Sequence, residues 1–203
     1  MRIGIDLDDV VAECAVPYLR KFAQEYGVEL PDGELGWQTL DAIDIPEEEK
    51  ARFRTRTYDS DFFSRLEPYA DCPAVLERMV EAGHELYFVT ARAEKRRIIT
   101  ETWLREKGLL DHARAVHLRP PHEIGEETPR GRYDATGSAR YKSRLAQELE
   151  LDRFCEDDRV IARTLAEAGT HVWLFDHPWN RDVAHPNVER VRGWSDIAAK
   201  LGL

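Results

Sequence analysis

The stretch Ile3-Gly4-Ile5-Asp6-Leu7-Asp8-Asp9-Val10-Val11 constrains this chain more than any other. A short apolar run, broken only by a glycine, leads into three carboxylates with one leucine among them. An apolar run of this length fits a strand covered on both faces. Charges crowded at the C-terminal end of such a strand stand where open α/β sheets hold their ligands. Like charges this close repel, so a bound cation or a proton must neutralise them. Taken alone, Asp-x-Asp fits an acidic turn after an edge strand equally well, and the rest of the chain has to decide between the two.

The rest of the chain alternates strand and helix. Ala15, Tyr18, Leu19, Phe22 and Tyr26 recur at helical spacing, and Gly27 is a helix stop. Residues 28 to 45 lack a period and read as loop with short turns presenting Trp37. Pro46 followed by Glu47, Glu48 and Glu49 starts a helix, with acids at the positive end of its dipole, running to about Thr57. Asp71-Cys72-Pro73 opens another, closed near Gly83. Glu85-Leu86-Tyr87-Phe88-Val89-Thr90 is a second buried strand, followed by a helix over 94–107. Ala115-Val116-His117-Leu118 is a third strand. Residues 119–137 carry Arg, Pro, Gly and Glu without a period and read as a long surface loop. Ser138 is placed to cap a helix bearing Lys142 in its first turns. Arg153-Phe154-Cys155 then runs into Glu156-Asp157-Asp158, a second strand ending in acids. After a helix to Ala168 comes the last expected strand, His171-Val172-Trp173-Leu174-Phe175, and a closing helix over 195–201. Such alternation implies a parallel sheet with right-handed crossovers. Residues 14–70 form a mainly helical excursion after the first strand.

At 203 residues, the chain is expected to hold one core and a modest insertion. A formal charge of −10 argues against a non-specific nucleic-acid or membrane-surface binder. It does not exclude an anionic substrate, because a metal supplies positive charge locally. Cys14, Cys72 and Cys155 are odd in number and widely spaced, which suits a reducing cytoplasm better than a disulfide scaffold. No signal peptide is expected, and no apolar run approaches membrane-spanning length.

Asp6-x-Asp8, Thr90, Lys142 and Glu156-Asp157-Asp158 each fall at the end of a strand or the start of a helix. In a parallel sheet those ends share one edge, so the residues can converge. Carboxylates from two strands are hard ligands that suit Mg²⁺. A hydroxyl and an ammonium can hold phosphate oxygens. One carboxylate can attack phosphorus, and another can hand a proton to the leaving oxygen.

These residues resemble the haloacid dehalogenase superfamily of phosphotransferases. The counterparts of its motifs occur in order: Asp6-Leu7-Asp8-Asp9-Val10, Val89-Thr90-Ala91-Arg92, Lys142, and Glu156-Asp157-Asp158. Phe62-Phe63-x-x-Leu66-Glu67-Pro68 and Phe175-Asp176-x-Pro178-Trp179-Asn180-Arg181 resemble its 5′(3′)-deoxyribonucleotidase branch and the bacterial relatives of that branch. The resemblance implies a three-layer, Rossmann-like α/β core over residues 1–13 and 71–203, with a small helical cap over 14–70. It implies a cytoplasmic, Mg²⁺-dependent phosphomonoesterase, a 5′-nucleotidase working through an aspartyl-phosphate. Asp6 would be nucleophile and metal ligand. Asp8 would be general acid/base and would lend its carbonyl to the metal. Asp157 would be the further ligand, with Asp158 the next candidate. Thr90, Ala91 beside it, and Lys142 would bind phosphate. Asp9 departs from the family, where glycine is common, and has no role assigned by the resemblance.

Taken singly, Thr90 is a strand-end threonine and Lys142 a solvated helix lysine; together with both acid pairs they read as a site. Arg92 would reach the substrate or pair with an acid of the cap. Trp37 and Phe62 would stack on a base, whereas Phe63 is expected to pack the hinge between cap and core. His117 and His122 read as surface histidines, Cys14 and Cys155 as small buried apolar residues, and Trp179 and Arg181 as residues that fold the chain back over the core. Two alternatives remain at this level. One is a nucleic-acid 3′-phosphate end gripped by Arg119, Arg130 and Arg132. The other is a non-catalytic ligand-binding regulator.

Overall fold

A computed structural model describes residues 1–123 and 134–203. Its centre is a sheet of six parallel strands: β1 (Arg2–Ile5), β2 (Glu85–Ala93), β3 (Ala113–Arg119), β4 (Arg153–Glu156), β5 (His171–Phe175) and β6 (Val188–Val191). They lie in the order β3-β2-β1-β4-β5-β6. The strand β6 is absent from the sequence reading. Its residues Val188, Glu189 and Arg190 are only partly buried at the sheet edge and Val191 alone is fully buried, so the strand carries no apolar run.

The alternation of side chains sets two layers of core. Ile3, Ile5, Leu86, Phe88, Cys155, Trp173 and Phe175 face α4 (Cys72–Glu81), α5 (Arg97–Glu106) and α8 (Trp194–Leu201). Tyr87, Val89, Phe154, Val172 and Leu174 face α6 (Ala135–Glu148) and α7 (Arg159–Glu167). Neighbouring residues of one strand thus serve opposite faces, as the period of two requires. Gly4 is needed for one of these contacts. A Cβ there would lie 2.6 Å from the Phe154 ring and 2.7 Å from Leu151.

Between β1 and α4 the chain forms α1 (Ala15–Tyr26), α2 (Trp37–Ala42) and α3 (Glu47–Asp59). They share an apolar cluster in which Phe53 meets Tyr18 and Phe22 edge-on at 5.1 and 5.0 Å. The entry and exit of this excursion are joined, since Tyr69 N donates to the Val11 carbonyl at 2.9 Å and Ala12 bridges Pro68. The short helix α2 lies where loop is expected, because six residues are too few to show a period.

One helix start differs from the sequence reading. α6 is capped by Asp134, whose carboxylate accepts from Gly137 N at 2.8 Å, while Ser138 is fully buried inside the helix. Arg119 is buried, bonded to Ser138 and Asp134, and therefore cannot serve as a free phosphate-end contact. Arg130 and Arg132 lie outside the described residues. His117, expected at the surface, is half-buried on β3 beside the Tyr87 ring.

Candidate active site

The order of the sheet reverses direction between β1 and β4, so the crevice beyond their C-terminal ends is the natural ligand site of this fold. Asp6 and Asp8 follow β1, and Asp157 and Asp158 follow β4. A cavity of 970 Å³ opens there between the sheet edge and the helices α1 to α3. Asp6, Asp8, Ala91, Arg92 and Asp157 line its floor, and Tyr18, Trp37, Tyr58 and Phe63 line the opposite wall.

Lys142 is the hub of the floor. Its ammonium has no exposure and lies 2.8 Å from Asp6 Oδ1 and 2.8 Å from Glu156 Oε2. The remaining oxygen of Glu156 accepts from the backbone N–H groups of Asp157 and Asp158 at 3.1 and 3.0 Å. Glu156 therefore braces Lys142 and the turn after β4, a role the sequence pattern does not single out among three consecutive acids. Lys142, expected to touch phosphate, is enclosed between these carboxylates and does not line the cavity. Thr90 is likewise buried, its hydroxyl accepting from Arg92 N at 3.2 Å, and only its neighbours Ala91 and Arg92 reach the cavity.

Asp157 is oriented from the segment after β5. Trp179 Nε1 donates to its Oδ2 at 2.9 Å, and Asn180 Nδ2 donates to its carbonyl at 2.7 Å. His177 stacks on the Trp179 ring at 4.3 Å and donates from Nε2 to the Asp9 carbonyl at 2.9 Å. Trp179 thus acts on the site as well as returning the chain to the core. Asp158, expected as a further metal ligand, lines the cavity and also caps α7. Its Oδ1 accepts from Val160 N and Ile161 N at 2.7 and 3.0 Å.

Asp9 now has a role. It adopts the left-handed region at φ 59, where glycine is the easy choice and aspartate is tolerated. Its carboxylate caps α1 through Cys14 N and Ala15 N, and accepts from Trp37 Nε1 at 2.9 Å. Trp37 is thereby fixed over the cavity. Phe62 packs against Tyr18 and Phe63, and it is Phe63 that lines the cavity. Arg92 is bonded to Asp8 through Nη2 to Oδ1 at 2.6 Å and Nε to Oδ2 at 3.1 Å.

Burial raises the Asp6 carboxyl to about 8, opposed by Lys142 and reinforced by Glu156 and Asp8. Burial likewise raises Asp9 to about 7, and pushes Asp157 well up together with the charges of Glu156 and Asp9. Burial works against the Lys142 ammonium, but Asp6 and Glu156 outweigh it and raise its pKa. One ammonium faces several buried carboxylates, so the floor carries surplus negative charge. Oxygens of Asp6, Glu156 and Asp157 lie within 4.8 Å of one another. Both Glu156 oxygens are already engaged, which leaves Asp6 and Asp157 as carboxylates able to face a cation. An all-oxygen donor set of this kind fits Mg²⁺.

The sequence matches the model of the family "5' nucleotidase, deoxy (Pyrimidine), cytosolic type C protein" over residues 1–118. It is 22% identical over 201 residues to the "Putative nucleotidase" of Bacillus cereus, covering 97% of this chain and 96% of that protein. It is 26% identical over 155 residues to a nucleotidase of Clostridium acetobutylicum, covering 76% and 69% respectively. Among solved structures, a haloacid dehalogenase-like hydrolase from Streptococcus pneumoniae superposes with a TM-score of 0.66 at 13% identity, over 98% of this chain and 97% of that one. The HAD-hydrolase YfnB from Bacillus subtilis, bound to magnesium, superposes with a TM-score of 0.59 at 12% identity, over 100% and 98%. These likenesses establish the haloacid dehalogenase fold.

Proposed function

The chain belongs to the 5' nucleotidase, deoxy (Pyrimidine), cytosolic type C family and is a phosphoric monoester hydrolase of the haloacid dehalogenase type, and from that premise we propose that it is a Mg²⁺-dependent 5′-nucleotidase acting on nucleoside or deoxynucleoside monophosphates. The observation that carries this reading is the pairing of two differently held aspartates at one cavity. Asp6 is buried beside an ammonium, and Asp8 is partly exposed in the grip of an arginine.

Asp6 attacks phosphorus in line. A new bond forms between its carboxylate oxygen and phosphorus, and the bond from phosphorus to the ester oxygen breaks. The electron pair stays on the ester oxygen, which takes the proton of Asp8 and departs as the nucleoside. Water then attacks the aspartyl-phosphate, gives its proton to Asp8, and returns Asp6 as carboxylate with inorganic phosphate. Lys142 offsets the charge of Asp6, which otherwise repels an anionic substrate. Asp6 and Asp157, with the Asp8 carbonyl, would hold Mg²⁺, which when bound supplies positive charge to the phosphate oxygens. The helices of residues 14–70 serve as the cap that excludes water and selects the leaving group, with Trp37 and Phe63 as the aromatic faces that meet the base.

Phosphate release is to be measured across a panel of nucleotides, a 3′-phosphorylated oligonucleotide and non-nucleotide phosphoesters, for wild type and Asp6→Asn. The expected result is turnover of mononucleotides that requires Mg²⁺ and is lost in the variant. Equal activity of the two proteins would sink the mechanism. Turnover confined to the oligonucleotide would sink the substrate class.

A further inference from the structure

We propose that Arg92 is a positioning residue for Asp8, acting on protonation of the leaving group and not on phosphate binding. The inference rests on the reading of Asp8 as the proton carrier. Arg92 sits two residues past the buried Thr90, at the end of β2, and is only 5% exposed. Its guanidinium is held between two rings, 5.1 Å from the Phe63 centroid and 5.3 Å from that of Trp103. These rings come from separate parts of the chain. Phe63 belongs to the end of the helical excursion, and Trp103 to α5, where its indole N–H is itself anchored on the Leu66 carbonyl at 2.9 Å. The plane of Arg92 is therefore set before anything binds.

That fixed fork meets both oxygens of Asp8, at 2.6 and 3.1 Å. Two parallel N–H donors on one carboxylate define the direction of its plane as well as its place. Asp8 stands on the short turn after β1 and is partly exposed to the cavity, and the Arg92 fork is the side-chain contact that holds its carboxylate there. A carboxylate has about four acceptor positions, and the fork occupies two of them. The others remain open on the cavity side, where a leaving oxygen or an incoming water exchanges the proton. An arginine whose fork is spent on a carboxylate is poorly placed to grip phosphate as well. The same seat ties the proton carrier to the cap, since one of the two rings holding Arg92 is Phe63.

Leaving-group dependence tests this. A nucleoside monophosphate expels an alkoxide and needs the proton, whereas p-nitrophenyl phosphate expels a stable phenolate and does not. Arg92→Lys keeps the charge and loses the fork. It is expected to lower kcat for nucleoside monophosphates on the order of 100-fold with KM unchanged, and to lower kcat for p-nitrophenyl phosphate far less. Trp103→Phe, which shrinks the face of the seat that does not line the cavity, is expected to give the same pattern in weaker form, and keeps the test open should Arg92→Lys fail to fold. Asp8→Asn is the control. If Asp8→Asn does not discriminate between the two substrates, the proton-carrier reading itself fails. If it does discriminate while Arg92→Lys and Trp103→Phe lose both substrates equally, or raise KM alone, the positioning role of Arg92 is overturned and a phosphate contact replaces it.

Discussion

Lys142 is the single side chain on which the charge of the site turns. Among the described residues it is the ammonium paired with Asp6 and Glu156, and it is wholly enclosed. Removing one partner of a buried ion pair leaves the other uncompensated, at about 3–5 kcal/mol. Lys142→Met is therefore expected to destabilise the metal-free protein by roughly that amount in chemical denaturation, and to abolish phosphate release. A stable, fully active variant would contradict the assignment. Trp179 works at the same scale by a different route. Its indole N–H fixes one oxygen of Asp157 and leaves the other to face a ligand. Such supporting bonds typically change metal affinity by about 10- to 100-fold, so Trp179→Phe is expected to weaken Mg²⁺ binding by about tenfold in calorimetric titration, with the melting curve little changed. An unaltered Kd would show that the bond does not tune Asp157. Residue identity made Asp6, Asp8, Lys142 and Asp157 legible in the sequence, because their order along the chain matches the ends of strands and helices. It did not reveal the work of Asp9, Glu156 or Trp179. Their roles are hydrogen bonds to backbone groups and indoles brought together only by folding.

Among the elements, β1 is the most tightly determined. Ile3 and Ile5 fill one layer, and Gly4 admits the Phe154 ring on the other. Gly4→Ala puts a methyl group where the ring already is, and overpacking of this kind costs about 1–3 kcal/mol. The substitution is expected to lower the denaturation midpoint by that amount. It is also expected to reduce kcat, because β1 carries Asp6 and its ladder bond from Asp6 N to the Cys155 carbonyl at 3.1 Å. A neutral Gly4→Ala would mean that the layers have slack at this point. Buried strands and amphipathic helices were legible in the sequence because burial imposes periods of 2 and 3.6 on them. The exceptions are instructive. β6 buries only its last residue fully, α2 is too short for a period, and α6 takes its cap from Asp134 because that carboxylate reaches Gly137 N. Local composition does not encode any of these outcomes.

For the molecule as a whole, the surplus of buried carboxylate sets a pH dependence. Asp6 moves from 3.8 in the unfolded chain to about 8 in the metal-free fold, and Asp9 to about 7. A carboxyl whose folded pKa is raised binds more proton folded than unfolded between those limits, so stability falls as pH rises through that window. The melting temperature in the presence of a chelator is expected to decline from about pH 5 to pH 8. Mg²⁺ compensates the ionised carboxylates, so it is expected to stabilise more at pH 8 than at pH 5. A chelated protein whose melting temperature rises over that range would refute the surplus. By itself, the sequence determined the parallel α/β architecture, the chain order of the strands that carry the acids, and the residue types of a phosphate-transferring site. Periodicity and strand-end position are local properties of a chain, and they survive without coordinates. Only the tertiary structure decided which carboxylates share Lys142, that Asp158 caps a helix from the cavity rim, that Phe63 and not Phe62 lines the wall, and that Arg92 grips Asp8. Each depends on the distance and direction between groups far apart in sequence, which are set by how the layers pack.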